Sequence, residues 1–193
     1  VTAWDSPVVQ RLINANGIEL HSFQIVDAYT ALYPFLNKLV LPAGIVDFLM
    51  LSPPTDGVLH PPLGLNVKVP ELVDSQDYIG LNYYSRDMVA FDLSHPGMLF
   101  TRRFEMPGAE FSMEGWGEIY PEGIYRLLLR LQKYGKPIYV TETGVPDNDD
   151  SKRPCFLITH LAAIHRALAE GVPVKGLYFW ALTDNFEWKE GFS

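Results

Sequence analysis

The residues best suited to chemistry in this chain are carboxylates placed where apolar strands end. In K-P-I-Y-V-T-E-T-G, Lys136 to Gly144, Pro137 opens a run of strand formers, Ile138, Tyr139, Val140 and Thr141. Glu142 therefore falls where a buried parallel strand emerges from its sheet, and Gly144 then permits a sharp turn. Strand ends are where α/β folds hold their ligands, so Glu142 is a candidate reactive group. The plainer role for a strand-end glutamate is to accept hydrogen bonds at the start of a loop.

A second stretch, V-K-G-L-Y-F-W-A-L-T-D-N-F-E-W-K-E-G-F from Val174 to Phe192, has the same design. An apolar strand carries Trp180 and breaks into a turn holding Asp184, Asn185, Glu187 and Trp188. Indoles offer a face for apolar C–H groups and carboxylates offer acceptors for hydroxyls, the mixture that a sugar ring needs. A protein interface, also enriched in tryptophan, would use the same residues.

The elements that must position these groups read as follows. Tyr78 to Tyr84 is a nearly continuous apolar strand of the kind buried under helices. From Phe91 to Gly117 the chain is a long irregular excursion, whose Arg102-Arg103 pair is expected to be solvated. Pro121 and Glu122 start a helix with a packing stripe of Ile124, Leu127, Leu128 and Leu131, and Gly135 stops it. That helix delivers the chain into the strand bearing Glu142. An acidic loop, V-P-D-N-D-D-S-K, leads to a helix from Pro154 to about Glu170, ended by Gly171. The order is strand, long loop and helix, strand, helix, strand, a βαβαβ run with right-handed crossovers. Residues 1–76 form a lead-in of helices and loops: one helix is expected from Ser6-Pro7 to about Asn14, another, interrupted at Pro34, over Phe23 to Leu39, and a proline-dense loop runs from Leu51 to Pro70.

Composition removes several function classes. A net charge of −8 and the lack of a basic stripe argue against nucleic acid. The lone Cys155 forms no intrachain disulfide, and no Cys/His cluster suggests zinc. Asp147, Asp149 and Asp150 lack the later ligands of a calcium loop. His160 and His165 miss the i,i+4 spacing of a helical metal pair and are expected to pack or face solvent. No apolar run approaches a membrane span and no signal segment is legible, so the expectation is a soluble cytoplasmic protein without metal or cofactor.

These motifs carry a family resemblance. P-I-Y-V-T-E-T-G resembles I/V-T-E-N-G, the nucleophile motif of glycoside hydrolase family 1, the β-glucosidase family. F-W-A-L-T-D-N-F-E-W-K-E-G-F resembles that family's F-W-S-L-L-D-N-F-E-W-x-x-G-Y/F. D-Y-I-G-L-N-Y-Y-S, Asp77 to Ser85, is similar to D-F-I-G-I/L-N-Y-Y-T, and the connecting segments G-W-G-E-I-Y-P-E-G-I-Y-R-L-L-L-R-L and D-D-S-K-R-P-C-F-L-I-T-H-L-A-A-I-H-R-A keep family order.

The resemblance implies a (β/α)₈ TIM barrel, of which residues 77–193 would supply strands 6 to 8. A full barrel needs at least about 200 and typically about 250 residues, so the chain reads as a single incomplete domain. Its open edges would be covered by a complementary chain or by self-association. The implied reaction is retaining hydrolysis of a small-molecule β-glucoside or β-galactoside, with Glu142 as nucleophile. The residue matching Tyr84 hydrogen-bonds the nucleophile in the family, and a hydroxyl donor favours the charged carboxylate. Asn82, Trp180, Glu187, Trp188 and Phe192 match sugar-binding positions.

The family's acid/base glutamate, in T-F/L-N-E-P, has no counterpart here. Glu118 and Glu122 match a stretch away from the site. Thr143 stands where the family has asparagine. A catalytically silent sugar-binding or structural protein and one half of a two-chain enzyme are the rival readings.

Overall fold

The computed structural model describes residues 51–59, 65–96, 100–112, 117–181, 183 and 186. The two helices expected over Ser6–Asn14 and Phe23–Leu39 lie outside these residues, as do Asp184, Asn185, Glu187, Trp188 and Phe192. The chain divides into two compact units, Val1–Gln76 with Phe91–Arg102, and Asp77–Ala90 with Arg103–Ser193.

In the first unit the proline-dense segment is more ordered than its composition suggested. Pro53 and Pro54, set at the start of a turn where a missing N–H costs nothing, open the short helix α1 (Pro53–Asp56). Gly57 closes it in the left-handed region. Strand β1 (Val58–Leu59) pairs antiparallel with β2 (Val67–Lys68), and Val69 and Leu72 are buried behind them.

The second unit is built on a parallel sheet in the order β3 (Ile79–Asn82), β6 (Ile138–Thr143), β7 (Val174–Phe179). Between β3 and β6, strands β4 (Met88–Phe91) and β5 (Thr101–Phe104) form a separate two-stranded sheet. The excursion from Phe91 was expected to be irregular, yet β5 lies within it and pairs with β4, which ends where the excursion begins; T-R-R-F supplies a β-branched and an aromatic residue. Arg103 forms an ion pair with Asp87, while in the first unit Arg102 pairs with Asp92.

Helix α2 (Pro121–Leu131) buries Ile124, Leu128 and Leu131, passes into a 3₁₀ turn, and ends at the left-handed Gly135. Leu127 of the expected stripe is only half-buried. Helix α3 (Arg153–Ala169) buries Phe156, His160, Ala163, Ile164 and Ala167. Its N-cap position is Lys152, which has no capping oxygen. Asp147 takes that role from five residues upstream, accepting the N–H groups of Lys152 at 2.6 Å and Arg153 at 3.3 Å. The acidic loop therefore serves the helix start.

Alternation along the strands divides the sheet's two faces. Ile79, Ile138 and Val140 belong to the buried core with the helix residues. The opposite face carries Tyr78, Tyr139, Thr141 and Tyr178, which line an open cavity of about 520 Å³. Tyr78 and Tyr139 meet edge to face there, with ring centroids 5.4 Å apart.

Candidate active site

Glu142 sits at the C-terminal end of β6, the central strand, where both neighbouring ladders lose their regular register. Leu81 pairs with Val140 but Asn82 with Glu142, so Thr141 is skipped. On the other side Val140 pairs with Leu177 and Thr143 with Phe179. Such irregularities re-aim side chains at the ends of strands.

The re-aimed carboxylate meets Tyr84, whose hydroxyl donates to Glu142 Oε2 at 2.7 Å. The backbone closes the same corner, because the Tyr83 N–H donates to the Glu142 carbonyl at 2.9 Å. Asn82 lies beside them, its Oδ1 accepting the Thr141 hydroxyl at 2.7 Å.

From β7, the Trp180 N–H donates to the Thr143 carbonyl at 2.8 Å. The Trp180 carbonyl then presses against Gly144 where any Cβ would overlap it, which is why a glycine follows this strand. Trp180 keeps its side chain 48% exposed, and the Trp180–Ala181 peptide is cis. Thr143 itself is fully buried, and its hydroxyl finds no hydrogen-bond partner among the described residues.

Glu142, Tyr84, Asn82 and Trp180 are thus gathered at one end of one sheet. The remaining residues expected at the site, Glu187, Trp188 and Phe192, fall outside the described residues.

The two other glutamates weighed from the sequence are committed elsewhere. Glu118, buried, accepts the Met106 N–H at 2.8 Å and the Arg86 guanidinium through Nε at 2.8 Å and through its terminal nitrogen. The Met106 N–H, then Arg86, hold its carboxyl below the usual carboxylate range. Glu122 receives Arg166 at 2.6 Å at the helix surface, and the Arg166 hydrogen bond likewise holds it low.

Neither Tyr83 nor Arg86 was singled out from the sequence, yet both are fixed close to Tyr84, Tyr83 through the Tyr120 carbonyl and Arg86 through Glu118. Strand alternation carried the signal for Tyr83, since consecutive residues must point to opposite faces.

Among the described residues no group of three or more His, Cys, Asp or Glu could hold a metal ion. His160 is buried against Phe156, ring centroids 3.7 Å apart, and burial holds it below the ordinary histidine range. His165 is exposed. No helix among the described residues is long and apolar enough to cross a membrane.

Comparison with known proteins gives this geometry its context. The chain is 41% identical to a β-galactosidase of Sulfolobus acidocaldarius over 143 residues, 67% of this chain and 28% of that protein. It is 38% identical to β-glucosidase A of Thermotoga maritima over 134 residues, 64% of this chain and 29% of that protein. The chain therefore spans under a third of these curated relatives. Among solved structures, a β-glycosidase from Pyrococcus horikoshii superposes with a TM-score of 0.64 at 32% identity, covering 78% of this chain and 36% of that one. The family model described as glycosyl hydrolase family 1 matches residues 66–193. With T-E-T-G ending its central strand and a tyrosine hydroxyl seated on the glutamate, the chain belongs to glycosyl hydrolase family 1.

Proposed function

We propose that the chain supplies the nucleophile part of a retaining β-glycosidase site, acting on β-glucosides or β-galactosides. The observation that carries this reading is Glu142 at the end of a parallel strand with the Tyr84 hydroxyl 2.7 Å from one carboxylate oxygen. That bond holds one oxygen in place, leaving the other to attack. The activities for which the relatives are named, β-galactosidase and β-glucosidase, support the substrate class.

In the first step a Glu142 oxygen forms a bond to the anomeric carbon. The glycosidic C–O bond breaks, and its electron pair leaves with the aglycone oxygen, which takes a proton from a general acid. In the second, water attacks the anomeric carbon, gives its proton to the same group, and releases Glu142. That acid/base carboxyl must lie about 5 to 5.5 Å from Glu142. The 193 residues contain no T-F/L-N-E-P motif, and Glu118 and Glu122 are held by arginines. We assign the acid/base to polypeptide outside these residues, the three parallel strands being strands 6 to 8 of a barrel completed by that polypeptide. Residues 1–76 act as lead-in and 77–193 carry the site. Trp180 stacks on the sugar, Asn82, Glu187 and Trp188 take its hydroxyls, and Phe192 lies at the rim. A cytoplasmic setting suits this assignment.

A 2-deoxy-2-fluoro glucoside should label one peptide, the one containing Glu142, in any active assembly that includes this chain. Labelling elsewhere, or full activity in Glu142→Gln, rejects the assignment. Glu187→Ala should lower kcat/KM at least about tenfold, as expected when a buried charge-assisted hydrogen bond worth roughly 1.5 to 3 kcal/mol is lost. The chain alone should not hydrolyse cellobiose at ordinary enzymatic rates. If no assembly with an acid/base-bearing polypeptide becomes active while sugar still binds, the chain is a silent carbohydrate-binding protein.

A further inference from the structure

Tyr83 and Tyr84 are consecutive, and strand alternation sends them to opposite sides of the sheet. Tyr84 goes to Glu142. Tyr83 goes under the sheet, where it is 7% exposed and its hydroxyl donates at 2.6 Å to the carbonyl of Tyr120, the residue preceding α2. The first turn of α2 is shaped around this phenol. Gly123 lies so close that a methyl group there would overlap the Tyr83 hydroxyl, and the Gly123 N–H shares the same Tyr120 carbonyl at 2.9 Å.

Three residues after Tyr83 a second anchor appears. Arg86 and Glu118 exchange two backbone hydrogen bonds, 3.0 and 2.9 Å. Their side chains form an ion pair, Glu118 buried and Arg86 partly exposed, whose guanidinium also covers the Tyr120 ring at 3.7 Å from its centroid. The circuit closes on itself: Tyr83 to the Tyr120 carbonyl, the Tyr120 ring to Arg86, Arg86 to Glu118. Tyr84 and Ser85 are the only residues between its two ends on the strand side.

A phenylalanine at position 83 would fill the same volume, so packing alone does not call for the hydroxyl. Burial pushes the Tyr83 phenol well above its ordinary value, so it remains a donor at any working pH.

We propose that Tyr83 is a positioning residue for the Glu142–Tyr84 pair. Its hydroxyl on the Tyr120 carbonyl, together with the Arg86–Glu118 bridge, fixes the strand end from which Tyr84 reaches the carboxylate. The functional consequence rests on the reading of Glu142 as nucleophile. The positional consequence does not.

The test is a double-mutant cycle with two readouts. In the active assembly, Tyr83→Phe should slow labelling of Glu142 by a 2-deoxy-2-fluoro glucoside about fivefold, the effect of one hydrogen bond, with the binding constant for the reagent unchanged. In the Tyr84→Phe background the same substitution should change the rate less than about twofold, because Tyr83 has lost the group through which it acts. In the purified chain, the Tyr84 ring carbon bearing the hydroxyl is followed by ¹³C NMR. Glu142→Gln should shift that resonance, and should shift it less than half as far when Tyr83 is phenylalanine.

Equal slowing in both backgrounds, or a Tyr84 resonance that answers Glu142→Gln as fully without the Tyr83 hydroxyl as with it, overturns the proposal. If Tyr83→Phe does not fold, Arg86→Lys, which keeps the charge but loses the fork and the stacking, is put through the same cycle with the same expectation. An intact NMR coupling with no labelling of Glu142 would reject the glycosidase reading and leave this inference standing.

Discussion

The two faces of the β3-β6-β7 sheet are made of the same strands and have opposite fates. On one, Ile138 and Val140 are fully buried with Ile124 and Leu128 of α2. On the other, Tyr178 is 61% exposed and Tyr78 44%, although their rings are as apolar as the core's. The difference lies in what each face meets. The helices that connect the strands cover one face, whereas the other carries the aromatic groups and leads to Glu142. Stability resides in the first face and the proposed chemistry at the rim of the second, and the two should respond separately to mutation.

The largest test of that separation is a paired truncation read by urea unfolding. Leu128→Ala should cost about 2 to 5 kcal/mol, as buried leucine truncations do. Tyr178→Ser should stay within about 0.5 kcal/mol, as surface changes do. Similar losses at both would mean that the open face is covered in solution by another chain or copy.

His160 sharpens the comparison through pH. Burial depresses its proton affinity, so the unfolded chain takes up the proton first as pH falls through the ordinary histidine range near 6.5. The stability held at higher pH is lost progressively until the lower folded value is reached, at no more than about 1.4 kcal/mol per pH unit. Unfolding midpoints at about pH 8 and pH 5 should differ less in His160→Met than in the native chain; an unchanged difference would place the titrating group elsewhere.

A gain rather than a loss is expected at Thr143, where a buried hydroxyl lies within the site strand without a partner among the described residues. Thr143→Val keeps the branched shape and should raise stability by about 1 kcal/mol. A loss would reveal a partner for the hydroxyl beyond the described residues.

Much of the second unit was legible in the sequence. Pro121, Gly135 and Gly171 marked helix boundaries close to those observed, since proline and glycine act locally. Glu142 and Tyr84 were legible because short contiguous motifs contain them, and the sheet brings them together. The strand inside the excursion was missed because T-R-R-F is too short to outweigh the glycines and prolines around it. Arg86 and Glu118 were missed as a pair for another reason. Their partnership spans 32 residues, and no local pattern encodes which distant charge a guanidinium will meet. Asp147 was read as loop solvation because a capping group normally occupies the N-cap position, not one five residues earlier.

The Tyr83 anchor also bears on the order in which the molecule assembles. Tyr84 and Glu142 are 58 residues apart, whereas β6 and β7 are joined through a single helix, with Ile138 opposite Val174. Loop closure alone separates the two pairings weakly, since doubling a loop costs only about 0.6 kcal/mol. The stronger constraint is that the Tyr120 carbonyl and the Gly123 cradle take their places only once the first turn of α2 has wound. The Tyr83 end of strand β3 therefore gains its anchor only once α2 has wound, whereas the pairing of β3 with β6 does not depend on that turn. A chain whose α2 has not wound lacks the anchor behind Tyr84, so the strand end that carries the hydroxyl to Glu142 is held by β6 alone.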